Sequence, residues 1–301
     1  MKKLGLIGIG KMGYNLAQNI MDKGFELSVY DVVPENMQGL AEKGARITAG
    51  IEELAASLEE PRVVYMMVPS GQPVEDTLTA LKKVLKKGDI VIDGGNSHYT
   101  ETVRRGRELE ALGIHYIDCG TSGGKDGALH GVCVMVGGAQ AAYAHCRQLF
   151  ESISVPDGCL YTGPTGSGHY CKMVHNGIEY GMMQAMAEGF EILERSDFDY
   201  DMEKVAKVWN HGSVVRSWLM ELAQKAFHEQ GSDLAELSGR MHSTGEGKWT
   251  LDEALSKQIA APVIALSLMM RYRSLTEDTF SGKVVAALRN QFGGHAMDMK
   301  K

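Results

Sequence analysis

The sequence predicts an α/β N-terminal domain built on a mostly parallel sheet, followed by an all-helical C-terminal domain. Three observations carry this. Short β-like runs alternate with helical stretches through the first half, the pattern of successive βαβ units. A glycine-rich turn, Gly8-Ile9-Gly10-Lys11-Met12-Gly13, joins the first β-like run to the first helical one. After Gly163-Pro164-Thr165-Gly166 strand signals nearly vanish, and helical patterns run from His169 to the end. The boundary is therefore set near residue 164, dividing the chain into 1–164 and 165–301.

In chain order, the strand candidates are Leu4–Ile9, Leu27–Tyr30, Val63–Val68, Ile90–Ile92, His115–Asp118 and Val132–Val136, the last followed by a Gly137-Gly138 turn. Between them lie the helical stretches Leu16–Lys23, Glu75–Lys86 and Thr100–Leu112. Later, the apolar run Ala260–Met270 is shorter than the roughly 20 residues a membrane span needs and reads as a buried helix. Met297 to Lys301 read as a loose tail.

The bulk composition narrows the function classes. With 301 residues, 44% hydrophobic and 23% charged, the chain is long enough to bury full cores. A net charge of −7 argues against nucleic acid or an anionic membrane as partner. An anionic substrate would need a local cluster of cations. Five cysteines without a C-x-x-C pair argue against a disulfide framework or a zinc site and fit a reducing cytoplasm. Lys11 breaks the N-terminal apolar run, so no signal peptide is read.

The glycine turn has the form G-x-G-x-x-G, with a strand before and a helix after. The first glycine permits the turn, the second lets backbone approach a pyrophosphate, and the third allows close helix–strand packing. Asp31 ends the next strand about 20 residues on, where an acid bonds ribose hydroxyls and repels a 2′-phosphate. No arginine follows it at once. The first part is thus expected to be a Rossmann-like domain binding NAD, with NADP less favoured, through Gly8, Ile9, Gly10, Lys11, Met12, Gly13 and Asp31. Val68 and Pro69 close a strand on the side that faces the ligand crevice, or form a plain strand-to-helix turn.

Two later loops have the composition of ligand loops. Asp93-Gly94-Gly95-Asn96-Ser97 follows Ile90–Ile92; it reads as a ligand loop, in which Asn96 offers a donor and an acceptor, or as a loop with a helix cap. Thr121-Ser122-Gly123-Gly124 suits a carboxylate, or is a surface turn. The sharpest signal is Lys172-Met173-Val174-His175-Asn176-Gly177-Ile178-Glu179-Tyr180. In a helix, Lys172, His175, Asn176, Glu179 and Tyr180 share one face. A solvated face rarely gathers these types. Gly177 and Gly181 weaken the helix, which points to a close approach. Seven residues separate Lys172 from Glu179, roughly 10 Å along the axis. The two can bracket a small substrate as proton acceptor and proton donor. Arg271, Arg273, Arg289 and His295 are later cations without a distinguishing pattern of their own.

These motifs together resemble the decarboxylating 6-phosphogluconate dehydrogenase family. The resemblance rests on Asp93–Ser97, Ser122-Gly123-Gly124, Lys172 through Tyr180, Gly247-Lys248-Trp249-Thr250 and Arg289-x-x-Phe292-Gly-x-His295. It implies Lys172 as general base and Glu179 as general acid. It implies Asn96, Ser122, Gly123, Gly124, His175, Asn176 and Tyr180 around the sugar acid, with Asn96 also near the cofactor, and Arg271 at the phosphate. It implies that Arg289 and His295 come from a neighbouring subunit, so that a homodimer or homotetramer is expected. The chain looks like the short form of the family. The long NADP forms have an Asn-Arg-Ser/Thr stretch where Asp31-Val32-Val33 stands, and lysines where Pro69 and Thr244 stand. The implied reaction is oxidative decarboxylation of 6-phospho-D-gluconate, with no metal, for which no carboxylate cluster is evident. A neutral Lys172 would be required, its pKa depressed by burial or nearby cations. Two alternatives are a dehydrogenase of another β-hydroxy acid, such as 3-hydroxyisobutyrate, and a non-catalytic NAD-binding regulator.

Overall fold

In the computed structural model, which describes residues 2–299, the chain divides into two compact units, Met1–Met173 and Val174–Lys301. The first unit runs β1 (Lys3–Ile7), α1 (Lys11–Asp22), β2 (Glu26–Tyr30), β3 (Arg46–Ile47), α2 (Ile51–Ala56), β4 (Val63–Met66), α3 (Gln72–Val84), β5 (Ile90–Asp93), α4 (Tyr99–Glu110), β6 (His115–Ser122), α5 (Gly124–His130), β7 (Val132–Gly137), α6 (Gln140–Ile153) and β8 (Ser154–Gly163). The eight strands form one sheet in the order β3-β2-β1-β4-β5-β6-β7-β8. Every pairing is parallel except β6 with β7.

Helices cover both faces of this sheet. On β4, Val63 and Tyr65 enter one core with Leu16 and Ile20 of α1, while Val64 and Met66 enter the other with Leu54, Leu78 and Leu81. A strand buried on both sides reads as a continuous apolar run, which is why VVYM looks unalternating. The chain order reverses between β1 and β4, and a crevice opens there at the strands' carboxyl ends. Gly13 lets α1 sit against β1: a Cβ there would lie 1.9 Å from the Gly8 carbonyl oxygen.

The helix α7 (Ser167–Glu194) carries residues of both units. The second unit continues with α8 (Met202–Asn210), α9 (Trp218–Gln230), α10 (Glu246–Ser256), α11 (Pro262–Arg273) and α12 (Phe280–Gly293). Its core takes Met183, Ala187 and Phe190 from α7, Met220, Ala223 and Phe227 from α9, and Val284 and Leu288 from α12. The three-and-four spacing on each helix is what seats an apolar stripe against its neighbours.

Several expectations need correction. Strand β6 runs through Thr121 and Ser122 instead of ending before them. Strand β8 gave no sequence signal, because Pro156 and Asp157, the latter with φ of 61°, interrupt it. The run Ala260–Met270 is not a buried helix: α11 leaves Val263, Leu266 and Met269 66%, 61% and 56% exposed. The expected loose tail is tied down through Met299, since Ser238 N donates to the Asp298 carbonyl and Leu237 bridges Met299; Lys300 and Lys301 lie outside the described residues. No described helix is long and apolar enough to cross a membrane.

Candidate active site

The crevice at the sheet's reversal point is a cleft of about 930 Å³. Gly8, Gly10, Lys11, Met12, Gly13, Asp31, Val68, Pro69 and Asn96 line it, with Gly94, Gly95 and Thr121. Ile9 does not: its side chain is in the core, and its backbone N donates to Asp31 Oδ2 at 2.5 Å. Asp31 Oδ1 accepts from Val33 N at 2.8 Å and from Asn36 Nδ2 at 3.2 Å. The buried carboxylate therefore pins the glycine turn to the end of β2. Each carboxylate oxygen has two acceptor positions, so Oδ2 keeps one for a ribose hydroxyl. Val32, 83% exposed, and Val33 bring no cation to the rim. The α1 N-terminus has no side-chain cap at Gly10, and the partial positive charge of a helix start favours a pyrophosphate. These features fit a dinucleotide without a 2′-phosphate.

Asn96 has φ of 54° and holds β6 through its amide: Nδ2 donates to the Thr121 carbonyl at 3.2 Å, and Thr121 N donates to Oδ1 at 3.0 Å. The loop before it is organised by Asp93, which is fully buried. Its carboxylate accepts from Gly95 N at 3.0 Å, Ser97 Oγ at 2.9 Å and Tyr116 Oη at 2.7 Å. Burial, with Asp93 the next cause, pushes the Tyr116 hydroxyl well above its ordinary pKa, so it stays a donor. On the next strand Asp118, also fully buried, accepts from Gly166 N at 2.7 Å and His169 N at 2.8 Å. It thereby satisfies N–H groups at the start of α7 and complements that helix end's partial positive charge.

Lys172 follows one turn later and is 5% exposed. Gly120 of β6 makes room for it, because a Cβ there would lie 2.5 Å from the Lys172 Cβ. Ser122 ends β6, while Gly123 caps α5 in a left-handed conformation and Gly124 opens that helix. Thr121-Ser122-Gly123-Gly124 is thus a strand end and a helix start.

In the second unit, the face expected from the spacing is the sheltered one. His175 and Asn176 are half-buried and Tyr180 is buried, whereas the apolar Ile178 is 54% exposed. His175 Nδ1 lies 2.9 Å from Asn176 Oδ1 and 3.9 Å from Glu179 Oε2. What approaches the α7 glycines is the protein itself: a Cβ on Gly177 would meet Thr250 at 2.6 Å, and one on Gly181 would meet Val263 at 3.2 Å. The guanidinium carbon of Arg271 lies 3.5 Å from the centre of the Tyr180 ring, and Arg271 Nη1 donates to the His242 carbonyl at 3.1 Å. Burial pulls the Arg271 pKa down to about 10; the charges of Tyr180, Glu179 and Glu246 oppose this, and that of Arg289 adds to it. Burial likewise lowers Arg289, against Tyr180, Glu179 and Glu246. Arg289 thus shares this neighbourhood within its own chain, beside Arg271. His295 packs its ring against Phe292 at 6.0 Å between centroids. Tyr180 Oη, Glu246 Oε2 and Arg271 Nη2 are buried without a hydrogen-bond partner. Three such orphans in one neighbourhood mark a place built for a polar ligand.

Sequence reasoning missed Asp118, His169, Gly120 and Glu246. Only Asp118 had a local signal, an acid at the end of the expected strand His115–Asp118; in the sheet it lies within β6, paired in register with Asp93 on the adjacent strand.

A glycine turn at the reversal point of a parallel sheet, joined to a helix bearing a buried amine and then a carboxyl, defines the class: a nucleotide-dependent oxidoreductase. The comparisons are more particular. Residues 3–163 match the model for the NAD binding domain of 6-phosphogluconate dehydrogenase, and residues 168–287 match that for its C-terminal domain. The chain belongs to the 6-phosphogluconate dehydrogenase family. It is 54% identical to the YqeC protein of Bacillus subtilis strain 168 over 99% of this chain and 100% of the relative. It is 43% identical to the NAD(+)-dependent, decarboxylating 6-phosphogluconate dehydrogenase of Haloferax volcanii, covering 99% of each. The Plasmodium falciparum 6-phosphogluconate dehydrogenase structure superposes with a TM-score of 0.81 at 32% identity, over 91% of this chain but 62% of that longer one. A Mycobacterium tuberculosis 3-hydroxyisobutyrate dehydrogenase, 20% identical with a TM-score of 0.74, shares the fold.

Proposed function

We propose that this protein oxidises and decarboxylates 6-phospho-D-gluconate to D-ribulose 5-phosphate and CO2, with NAD as hydride acceptor. The observation that carries the reading is the sheltered polar face of α7, from Lys172 through Tyr180. Residues 1–164 bind the nucleotide; residues 165–301 bind the sugar acid and support assembly. Asn96, Ser122, Gly123, Gly124, His175 and Asn176 hold the sugar acid, while Tyr180, Arg271 and Arg289 receive its phosphate.

The Gly8–Gly13 turn and Asp31 would hold NAD, which would supply the hydride acceptor for C3. Lys172 acts first as base and removes the 3-hydroxyl proton. The step needs the neutral amine, on a side chain that is 5% exposed. The resulting β-keto acid loses CO2 once its carbonyl is stabilised, and protonated Lys172 donates to that oxygen. Glu179, farther along the helix, then protonates the enediol carbon while Lys172, neutral after its donation, takes the proton of the enol hydroxyl that becomes the ketone.

One observation favours a second reading. Glu246 places a carboxylate beside Arg271 and Arg289, which reduces the positive charge offered to a phosphate. An unphosphorylated β-hydroxy acid would then be the substrate. Recording NADH and CO2 release with 6-phosphogluconate and with gluconate, using NAD and NADP, decides between them. Turnover with neither acid would leave a non-catalytic nucleotide-binding protein.

A homodimer or homotetramer is the proposed assembly. The exposed apolar face of α11 supports it, since monomers rarely leave such a row in water. With Arg289 at its own chain's cluster, His295 is the remaining candidate for a contribution to a neighbour's site. A cytoplasmic location is proposed on the five free thiols.

A further inference from the structure

His169 lies in the first turn of α7, one turn before Lys172, and is 1% exposed. Three parts of the first unit meet at it. Its backbone N is held by Asp118. Its Nε2 is 3.1 Å from the Asp93 carbonyl oxygen, at the start of the Gly94–Asn96 loop. Its Nδ1 is 2.8 Å from Thr102 Oγ1, in the first turn of α4, the helix that this loop enters. A carbonyl only accepts, so Nε2 carries a proton.

We propose that His169 is a positioning residue for the reaction. Its ring fixes the loop bearing Asn96 relative to the helix bearing Lys172, so that amide and amine meet one substrate at a set separation. This rests on the function proposed above. The alternative is a core histidine that contributes stability alone.

Glutamine and asparagine separate the two. The His169→Gln amide nitrogen falls near the place of Nε2 and keeps the donor to Asp93. The His169→Asn amide reaches only toward Thr102. Both variants lose the ring, so their melting temperatures should fall alike. A misplacement of about 1 Å costs on the order of 100-fold in rate. We therefore expect kcat to fall at least about thirtyfold in H169N and at most about threefold in H169Q, with the NAD Kd changed less than about twofold in both. Hydrogen exchange should quicken at Gly94–Asn96 in H169N and not in H169Q. Equal exchange in the two variants, or equal kcat, overturns the proposal. If the wild-type protein does not turn over 6-phosphogluconate, the function reading falls, and the exchange comparison still decides the role of His169.

Discussion

The guanidinium of Arg271 stacks on the face of Tyr180 at 3.5 Å, and the Tyr180 hydroxyl has no hydrogen-bond partner. Ring and hydroxyl are therefore separable. Tyr180→Phe keeps the stacking and removes a buried unsatisfied group, so the free protein should melt no lower than wild type. A hydrogen bond to a charged group is worth about 1.5–3 kcal/mol, so KM for 6-phosphogluconate should rise about tenfold or more. Steady-state kinetics beside a thermal melt checks both; an unchanged KM would remove Tyr180 from the substrate site.

The same arginine sets a pH dependence. Its pKa is held below the ordinary 12.5, at about 10, because burial disfavours the charged form. The charge is therefore complete below that value and lost as pH rises through it. Affinity for 6-phosphogluconate, measured by calorimetry between pH 8 and 11, should hold at the lower end and weaken through about 10. Glu246→Gln removes one of the two carboxylates, with Glu179, that sustain the Arg271 charge, so its loss of affinity should begin at somewhat lower pH, while affinity at pH 8 should rise through lost repulsion.

Asp31 both anchors Ile9 N and presents a negative charge to the ribose. Val32→Arg alone should give little NADP activity, because the carboxylate still repels a 2′-phosphate. Asp31→Ser with Val32→Arg should move the NADP-to-NAD ratio of kcat/KM upward by about 100-fold, the scale of one to two charge-assisted contacts. Asp31→Ser alone should weaken both cofactors, since it frees the glycine turn. A single variant that improved NADP without loss of NAD would contradict this dual role.

Gly120→Ala places a methyl group 2.5 Å from the Lys172 Cβ and 2.8 Å from the Gly168 carbonyl oxygen. Backbone must shift, at about 1–3 kcal/mol. The displaced element carries Lys172, so kcat should fall further than the folded fraction explains. Denaturant unfolding together with single-turnover rates would show the difference.

The cysteines should react in order of exposure. Burial pushes Cys119 and Cys146 up to about 12, whereas Cys133 is exposed. The thiolate is the nucleophile, so at pH 8 only about one in ten thousand of the buried groups is reactive. A chromogenic thiol reagent should modify Cys133 first, and Cys119 and Cys146 only with unfolding.

The nucleotide half was legible because its parts are contiguous. The turn from Gly8 to Gly13, Asp31, and the loop ending at Asn96 each lie within a few residues of one strand end, and alternation orders those strands. The face from Lys172 to Tyr180 was legible for the same reason, since helix periodicity acts over a few residues. Strand β8 escaped notice because proline and a left-handed aspartate erase its pattern, and an edge strand needs little apolar sequence.

Local residue patterns specify the nucleotide turn, the change from an α/β half to a helical half, and the row of polar residues on α7. The groups that hold that row in place come together only when the chain is packed. Asp93 and Asp118 are neighbours across two strands, His169 reaches back 76 residues to the Asp93 carbonyl, and Glu246 reaches the two arginines from another helix. Such contacts follow from sheet register and helix packing, which no local periodicity encodes, because the free energy that selects them comes from burying the whole core at once.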